Sequence, residues 1–489
     1  MLLITLTALA AVLRFWRIGH QGFWFDEANT AQLVHFSPGK MLRLIPQTES
    51  TPPLYYCVAW VWARVFGYTE APLRSLSALI GVALVPVAYL TGAKLISRRA
   101  GVIVGALVAC NPLLIWYSQE ARSYEMLAFL ASASLLAFVY ALEEPTPRVL
   151  AAWVVSSALA LATHYYAVLI VVPEAAWLLA AYWWRRPVRI GVALVALCGL
   201  GLMFLALSQN STGRDRWIST APLSRRLGQV IPQFVVGFEG PARSVVEPLG
   251  IALVLLALVL LATRSIPRER RGALLAGALA FAGLLIALLL IALGFDGLIT
   301  RNLLALWLPA ALLVAGGLAA PRAQRLGLAT ALGLCAIGIV TTVGVAFDRN
   351  YQRPEWRVVA SALGPHPANH GARAILIQHY RFLLPLSLYV ADLKDMPRAG
   401  ARVSELDIVS FTDPRSNGFC WWGSACNLWP SVMQHTYRVR GFRELSRGHA
   451  LQFTILRLVS SNPVRLTPHA VSRALTRTHY ANDELLIAH

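Results

Sequence analysis

Two adjacent carboxylates, Asp26 and Glu27, follow the first apolar run of the chain and directly succeed the aromatics Phe23, Trp24 and Phe25. A carboxylate near a bilayer interface is costly unless solvated or paired, so acids in such places are functional candidates. One of them could take the proton of an incoming hydroxyl as a general base. The pair would equally suit the first turn of an amphipathic helix, where negative charge complements the helix macrodipole. A second polar group, Tyr117-Ser118-Gln119-Glu120-Ala121-Arg122-Ser123-Tyr124, lies between two apolar runs. Arg122 could hold two phosphate oxygens bidentately, with Glu120 fixing it or meeting a sugar hydroxyl and Tyr124 beside it. A plain Glu–Arg pair at a helix junction is the simpler account.

Three further places add to this set. Glu49-Ser50-Thr51-Pro52-Pro53-Leu54-Tyr55-Tyr56 offers two phenols to a phosphate, or two aromatics to an interfacial belt. His164-Tyr165-Tyr166 interrupts an apolar stretch, where a histidine at a helix end is more often a satisfied interfacial residue than a catalyst. Arg301 opens a late apolar run with Asp296 shortly before it, and either serves a bound anion or snorkels toward headgroups. Together, two acids, a Glu–Arg pair, a histidine and an arginine match the needs of a phosphate-bearing lipid donor and a hydroxyl acceptor. Phosphate is a good leaving group, so a base for the acceptor and positive charge for the departing phosphate suffice. No metal-ligand spacing is present, and neither a metal nor another cofactor is expected.

The elements that must position these residues are membrane helices. Of 489 residues, 57% are hydrophobic and 14% charged, whereas soluble domains carry about a quarter charged residues. The apolar residues fall in runs long enough to cross about 30 Å of hydrocarbon. About eleven spans are expected, near 1–18, 73–92, 101–117, 126–142, 149–163, 167–184, 190–207, 248–263, 272–294, 302–320 and 326–346. The first has no basic region before it and no small-residue cleavage site after it, and so reads as a retained anchor. The run Leu54–Phe66 is too short to span and reads as an interfacial helix.

The net charge of +19 sits in short loops between apolar runs, without the basic stripe of a nucleic-acid-binding fold. Lys94, Arg98 and Arg99; Arg185, Arg186 and Arg189; Arg264, Arg268, Arg270 and Arg271; and Arg322 and Arg325 mark one set of loops as cytoplasmic, with 143–148 as the exception. The alternate loops, 19–72, 118–125, 164–166, 208–247 and 295–301, then open on the outer face of the cell membrane. So does the tail from 348 onward.

The expected fold is therefore an α-helical polytopic membrane protein, with a catalytic module over 1–347 and a small extracytoplasmic α/β domain over 348–489. That domain, of about 140 residues, has a helical stretch at Glu355–Leu363 and strand-like runs at 374–378, 406–411 and 452–456. Cys57, Cys110, Cys198 and Cys335 read as small buried hydrophobes. Cys420 and Cys426 bracket a polar-aromatic stretch and would either form a small disulfide loop or stay unpaired.

The motifs Trp24-Phe25-Asp26-Glu27-Ala28, Thr51-Pro52-Pro53-Leu54-Tyr55-Tyr56, Leu73-Arg74-Ser75-Leu76-Ser77-Ala78-Leu79 and Tyr117–Tyr124 resemble the bacterial relatives of the dolichyl-phosphate-mannose protein mannosyltransferases and the lipid A aminoarabinose transferases. These are GT-C-fold glycosyltransferases, and the segment from Arg301 to Pro309 is similar to a later family segment. The resemblance implies an inverting transfer of a sugar from a polyprenyl-phosphate donor, at the outer membrane surface, to a lipid, protein or polysaccharide hydroxyl. It maps the candidate base onto Asp26 and the assisting acid onto Glu120, and turns Arg122 and Arg301 toward the donor phosphate. One departure stands out. The aminoarabinose transferases carry a lysine before the double proline where this chain has Thr51, so phosphate binding must lean on arginine.

Two other classes fit less well. An O-antigen ligase or polymerase would carry a large basic outer loop in its later half, matched here only by Arg214, Arg216, Arg225 and Arg226. A transporter or flippase would show paired halves and broken helices near the midplane, and neither pattern is found.

Overall fold

The computed structural model describes residues 1–364, 372–377, 382–411, 438–474 and 484–488. Cys420 and Cys426, and the end of the 374–378 run, lie outside the described residues. Two compact units emerge: residues 1–19 with 30–344, and residues 20–29 with 345–489.

The first unit is helical. Its described residues include eight helices long and apolar enough to cross a membrane, from Glu70–Leu95 to Gln324–Phe347. At 1.5 Å rise per residue, even 18 residues cover about 27 Å. The segment at 101–117 forms two helices, Arg98–Cys110 and Pro112–Ser118, which meet at 56°. Pro112 causes the break, because its ring cannot donate to the preceding turn and clashes with it. Asn111 caps the second helix through its Oδ1, which accepts the Leu114 N–H at 3.1 Å. The runs at 1–18 and 149–163 form the shorter apolar helices Leu2–Phe15 and Pro147–Thr163, and Leu54–Phe66 is another short one. The chain is thus a multi-pass membrane protein; about eleven spans were expected, and eight of the described helices, or nine if the bent pair is one span, are long and apolar enough to cross.

Small residues let these helices approach closely, as packing within lipid requires. A methyl group on Gly317 would lie 1.8 Å from the Ala257 carbonyl oxygen, and one on Gly272 would lie 2.1 Å from that of Leu95.

The second unit is built on a six-stranded sheet of β1 (Ala372–Ile377), β2 (Lys394–Asp395), β3 (Ala401–Phe411), β4 (Arg443–Ala450), β5 (Phe453–Leu466) and β6 (Glu484–Ala488), in the order β2-β6-β1-β3-β5-β4. Only β1 and β3 pair in parallel, with Ala374 opposite Leu406; the other neighbours are antiparallel. Alternation along the strands supplies two apolar faces. Ala374, Leu376, Leu406 and Leu456 pack on one, while Ile375, Ile377, Val409 and Phe453 pack on the other with Trp356 of the helix Trp356–Leu363.

Candidate functional site

The 56° bend directs the segment Tyr117–Tyr124, and the first helix holds it there. Gln119 Nε2 donates to the carbonyls of Leu13, Arg14 and Trp16 at 3.3, 3.0 and 2.9 Å. The fully buried Arg14 donates to the Val108 and Ala109 carbonyls at 3.0 and 3.2 Å and to Ser118 Oγ at 3.0 Å. Those two carbonyls sit just ahead of Pro112, where the helix loses its own donors. The loop carrying Glu120 and Arg122 is therefore fixed by side chains at least a hundred residues upstream.

Arg122 is buried, and its Nη1 donates to Glu49 Oε2 at 2.8 Å. The same carboxylate oxygen accepts the Tyr56 hydroxyl at 2.7 Å, and Thr51 Oγ1 lies 3.0 Å from that hydroxyl. Tyr56 thus makes a buried bridge, and the threonine before the double proline is part of it. Tyr55 is equally buried, with its hydroxyl 3.3 Å from Ser77 Oγ. Gln209 ties this loop to a later helix, donating to the Ile45 and Thr51 carbonyls at 3.3 and 3.2 Å. It accepts the Tyr165 hydroxyl at 2.7 Å.

His164 stands between two arginines. Burial, with help from Arg122 and then Arg301, pushes its pKa down to about 3. Its Nδ1 accepts the Tyr166 N–H at 3.2 Å, so in the neutral ring the proton belongs on Nε2. The Tyr124 ring lies 5.8 Å from the His164 ring. The Arg301 guanidinium is 5.5 Å from the ring centres of both Tyr124 and Trp217, within cation–π range. Arg122, Tyr124, His164 and Arg301, which come from three separate stretches of sequence, are thereby brought into one neighbourhood.

The remaining candidates fall as follows. Glu120 is fully buried, and its carbonyl accepts the Arg122 N–H at 2.8 Å. Asp26 and Glu27 occupy the first turn of the helix Phe25–His35, Glu27 fully buried and Asp26 partly so. Both belong to the second unit. Asp296 forms a fork with Arg226, at 2.6 and 2.9 Å. Arg214 donates to the Gln47 carbonyl. Arg226 and Arg214 are thus engaged in holding loops. Among the described residues no three His, Cys, Asp or Glu side chains converge as metal ligands.

Glu49, Gln209 and Trp217 were not foreseen from the sequence. An acid within the polar run Gln47–Thr51 ahead of the double proline was the available signal for Glu49, and its partner Arg122 is 73 residues away.

Residues 50–208 match the family model of the dolichyl-phosphate-mannose-protein mannosyltransferases, about a third of the chain. ArnT from Cupriavidus metallidurans bound to undecaprenyl phosphate has a similar fold, with a TM-score of 0.54 at 13% identity over 95% of this chain and 99% of that one. The oligosaccharyltransferase of Archaeoglobus fulgidus, in a complex with zinc and sulfate, matches at a TM-score of 0.43 and 13% identity over 80% of this chain. The match spans 61% of that enzyme's length. No curated protein sequence matches the chain. The chain is a multi-pass membrane protein of the GT-C fold, similar to the glycosyltransferases of family 39.

Proposed function

We propose that the chain is an inverting glycosyltransferase that moves a sugar from a polyprenyl-phosphate donor to an acceptor hydroxyl at the outer face of the cell membrane. The observation that carries this reading is the placement of Arg122 and Arg301 around a neutral, buried His164. An imidazole kept uncharged adds no competing cation beside the two guanidinium groups, and a guanidinium can hold phosphate oxygens bidentately. The family match over residues 50–208 supports the same donor class, and the arginine-rich loops support the outward orientation.

In this reaction the acceptor oxygen attacks the anomeric carbon from the face opposite the phosphate. The carbon–oxygen bond to phosphate breaks, its electron pair leaves with the polyprenyl phosphate, and the acceptor proton passes to a base. Asp26 is assigned as that base and Glu120 as the acid that holds the acceptor. Arg122 and Arg301 neutralise the leaving phosphate, which carries most of the charge developing in the transition state. Glu49 sets the direction of Arg122, and Tyr56 sets that of Glu49. The preferred sugar is mannose or a related hexose or pentose.

The test is a transfer assay on purified protein with undecaprenyl-phosphate-linked mannose, glucose and arabinose in turn. Wild type should release undecaprenyl phosphate with one of them, and Asp26→Asn should lower turnover by about two to four orders of magnitude, the range for a lost acid–base group. Near-normal turnover in Asp26→Asn would remove Asp26 from the mechanism. Absence of undecaprenyl-phosphate binding by the wild type would sink the donor assignment.

A further inference from the structure

The segment that carries Asp26 is held in place by residues more than three hundred positions further along the chain. Glu355 Oε2 accepts the Gly22 N–H at 2.9 Å, and the Tyr389 hydroxyl accepts the Phe23 N–H at 2.7 Å. Gln21 Oε1 accepts the Arg353 N–H at 3.1 Å, and the Arg357 guanidinium donates to the His20 carbonyl. Four successive residues, His20 to Phe23, are therefore tied within the second unit to Arg353, Glu355, Arg357 and Tyr389. Next, the Ala28 N–H donates to the Trp24 carbonyl at 2.9 Å and closes the first turn of the helix on which Asp26 lies.

The holding side chains are themselves anchored. Glu355 is the N-cap of the helix Trp356–Leu363, its Oε1 accepting the Arg357 N–H at 3.3 Å. The Arg357 side chain adds two bonds to the same carboxylate, each 2.8 Å. Burial raises the Glu355 pKa, but the bonds from Arg357 and the Gly22 N–H outweigh it and hold the group below its ordinary range. The carboxylate thus stays charged, and its bond to Gly22 is charge-assisted. The fit is close. A Cβ on Gly22 would stand 2.6 Å from Glu355 Oε1 and 3.2 Å from the Tyr389 oxygen. A side chain at this position would push those side-chain ends away from the backbone.

We infer that Glu355 and Tyr389 are positioning residues for Asp26, through which the C-terminal domain sets the orientation of the proposed base. The inference rests on the assignment of Asp26 made above. It gives the domain a part in the chemistry instead of the role of an appendage that only meets the acceptor. A displacement on the order of 1 Å at a reacting group costs about a hundredfold in rate, so loosening these bonds should act on turnover before it acts on donor binding.

Two measurements test it on the full-length protein in detergent, with Tyr389→Phe, Glu355→Gln, Glu355→Ala and Gly22→Ala. Lys394→Ala, on the exposed strand β2 of the same sheet, is the control. The first measurement is amide hydrogen exchange of residues 20–29, which needs no substrate. The second is kcat and KM for the donor that the wild type uses. Tyr389→Phe removes one acceptor and no volume, so it should fold normally. It should speed exchange at Phe23 and lower kcat about tenfold with KM unchanged. Glu355→Ala should lower kcat by about a hundredfold, and Glu355→Gln, which keeps an acceptor for Gly22, should recover most of the loss. The control should match wild type. Unchanged exchange at 20–29 in both Tyr389→Phe and Glu355→Ala would overturn the inference, as would full turnover in Glu355→Ala and Gly22→Ala. The assignment of Asp26 fails separately, through an active Asp26→Asn whose exchange pattern is normal.

Discussion

The two units bury arginine in opposite ways. In the sheet, Arg373 of β1 and Arg457 of β5 flank Glu405 and Asp407 of β3, with Arg373 at 2.7 Å from Glu405 and 3.1 Å from Asp407. Arg457 adds contacts of 2.8 Å to Asp407 and 3.3 Å to Glu405. Two cations meet two anions, and both arginines also donate to the last carbonyls of the helix Trp356–Leu363, at Leu363 and Gly364. That is the helix end that favours positive charge. In the membrane unit, Arg122 shares one carboxylate with Tyr56, and Arg301 faces the rings of Tyr124 and Trp217 near a histidine that burial, with help from both arginines, keeps neutral. The first arrangement neutralises itself and serves architecture. The second sets two guanidinium groups among phenol, indole and imidazole rings, with Glu49 on Arg122, and agrees with the phosphate-bearing donor proposed above.

The largest effect that would break this comparison is on stability. Arg373→Ala should destabilise the protein by about 3–5 kcal/mol, because it leaves two buried carboxyl groups to share Arg457 alone. Donor affinity, measured on protein still folded at low temperature, should not change. A mild loss of melting temperature would mean that water reaches the network and that the contrast is overstated. The next largest effect is on binding. Arg301→Ala should weaken undecaprenyl phosphate binding by about ten- to a hundredfold, equivalent to about 1.4–2.8 kcal/mol, with little change in melting temperature. If affinity held and stability fell, Arg301 would belong with the architectural arginines. The same substitution should lift the His164 pKa from about 3, since Arg301 is one of the charges that depress it. With its pKa pushed down to about 3, His164 should stay neutral between pH 5 and 8, and a pH dependence of binding in that range is then expected from another group, such as the phosphate. Binding that rises as pH falls through 6 in step with a titrating His164, followed by its ring resonances, would contradict the neutral assignment.

The sequence announces one half of this picture. The spans were legible because a bilayer demands long apolar runs. The strands were legible because alternating apolar residues must line two faces, and β1, β3 and β5 fall on the runs at 374, 406 and 452. The loop Tyr117–Tyr124 stood out as polar residues between two hydrophobic runs. Partnership was not legible. Arg122 sits two residues from Glu120 in sequence, yet its ion pair within 4 Å is with Glu49, and Asp296 joins Arg226 instead of the nearby Arg301. Carboxylates and guanidiniums carry no local mark of their mates, since Coulomb attraction acts across whatever distance the fold closes. The ties from Glu355 and Tyr389 to Gly22 and Phe23 were hidden for the same reason, being 333 and 366 residues apart.

The smallest effect concerns pH and separates the two kinds of buried charge most finely. Burial pushes the Asp407 pKa up to about 7, Glu405 adds to the rise, and Arg457 opposes it. An acid whose folded pKa lies above its ordinary value binds its proton more tightly in the folded state than in the unfolded one. Its contribution to stability is therefore fully present below about pH 4 and is lost as pH climbs through 7. Glu355 runs the other way, because its folded pKa is depressed, so its contribution is lost as pH falls through the acidic range. Between pH 5.5 and 8 only Asp407 of these two titrates. The second unit should then melt at a somewhat lower temperature at pH 8 than at pH 5.5, as followed by hydrogen exchange of the β3 amides. Asp407→Asn, which stays uncharged throughout, should flatten that slope even if it lowers stability at every pH. A slope that survives the substitution would assign the titration to another group. A flat profile in the wild type would mean that the two arginines hold Asp407 ionised across this range, making the quartet a fully charged network.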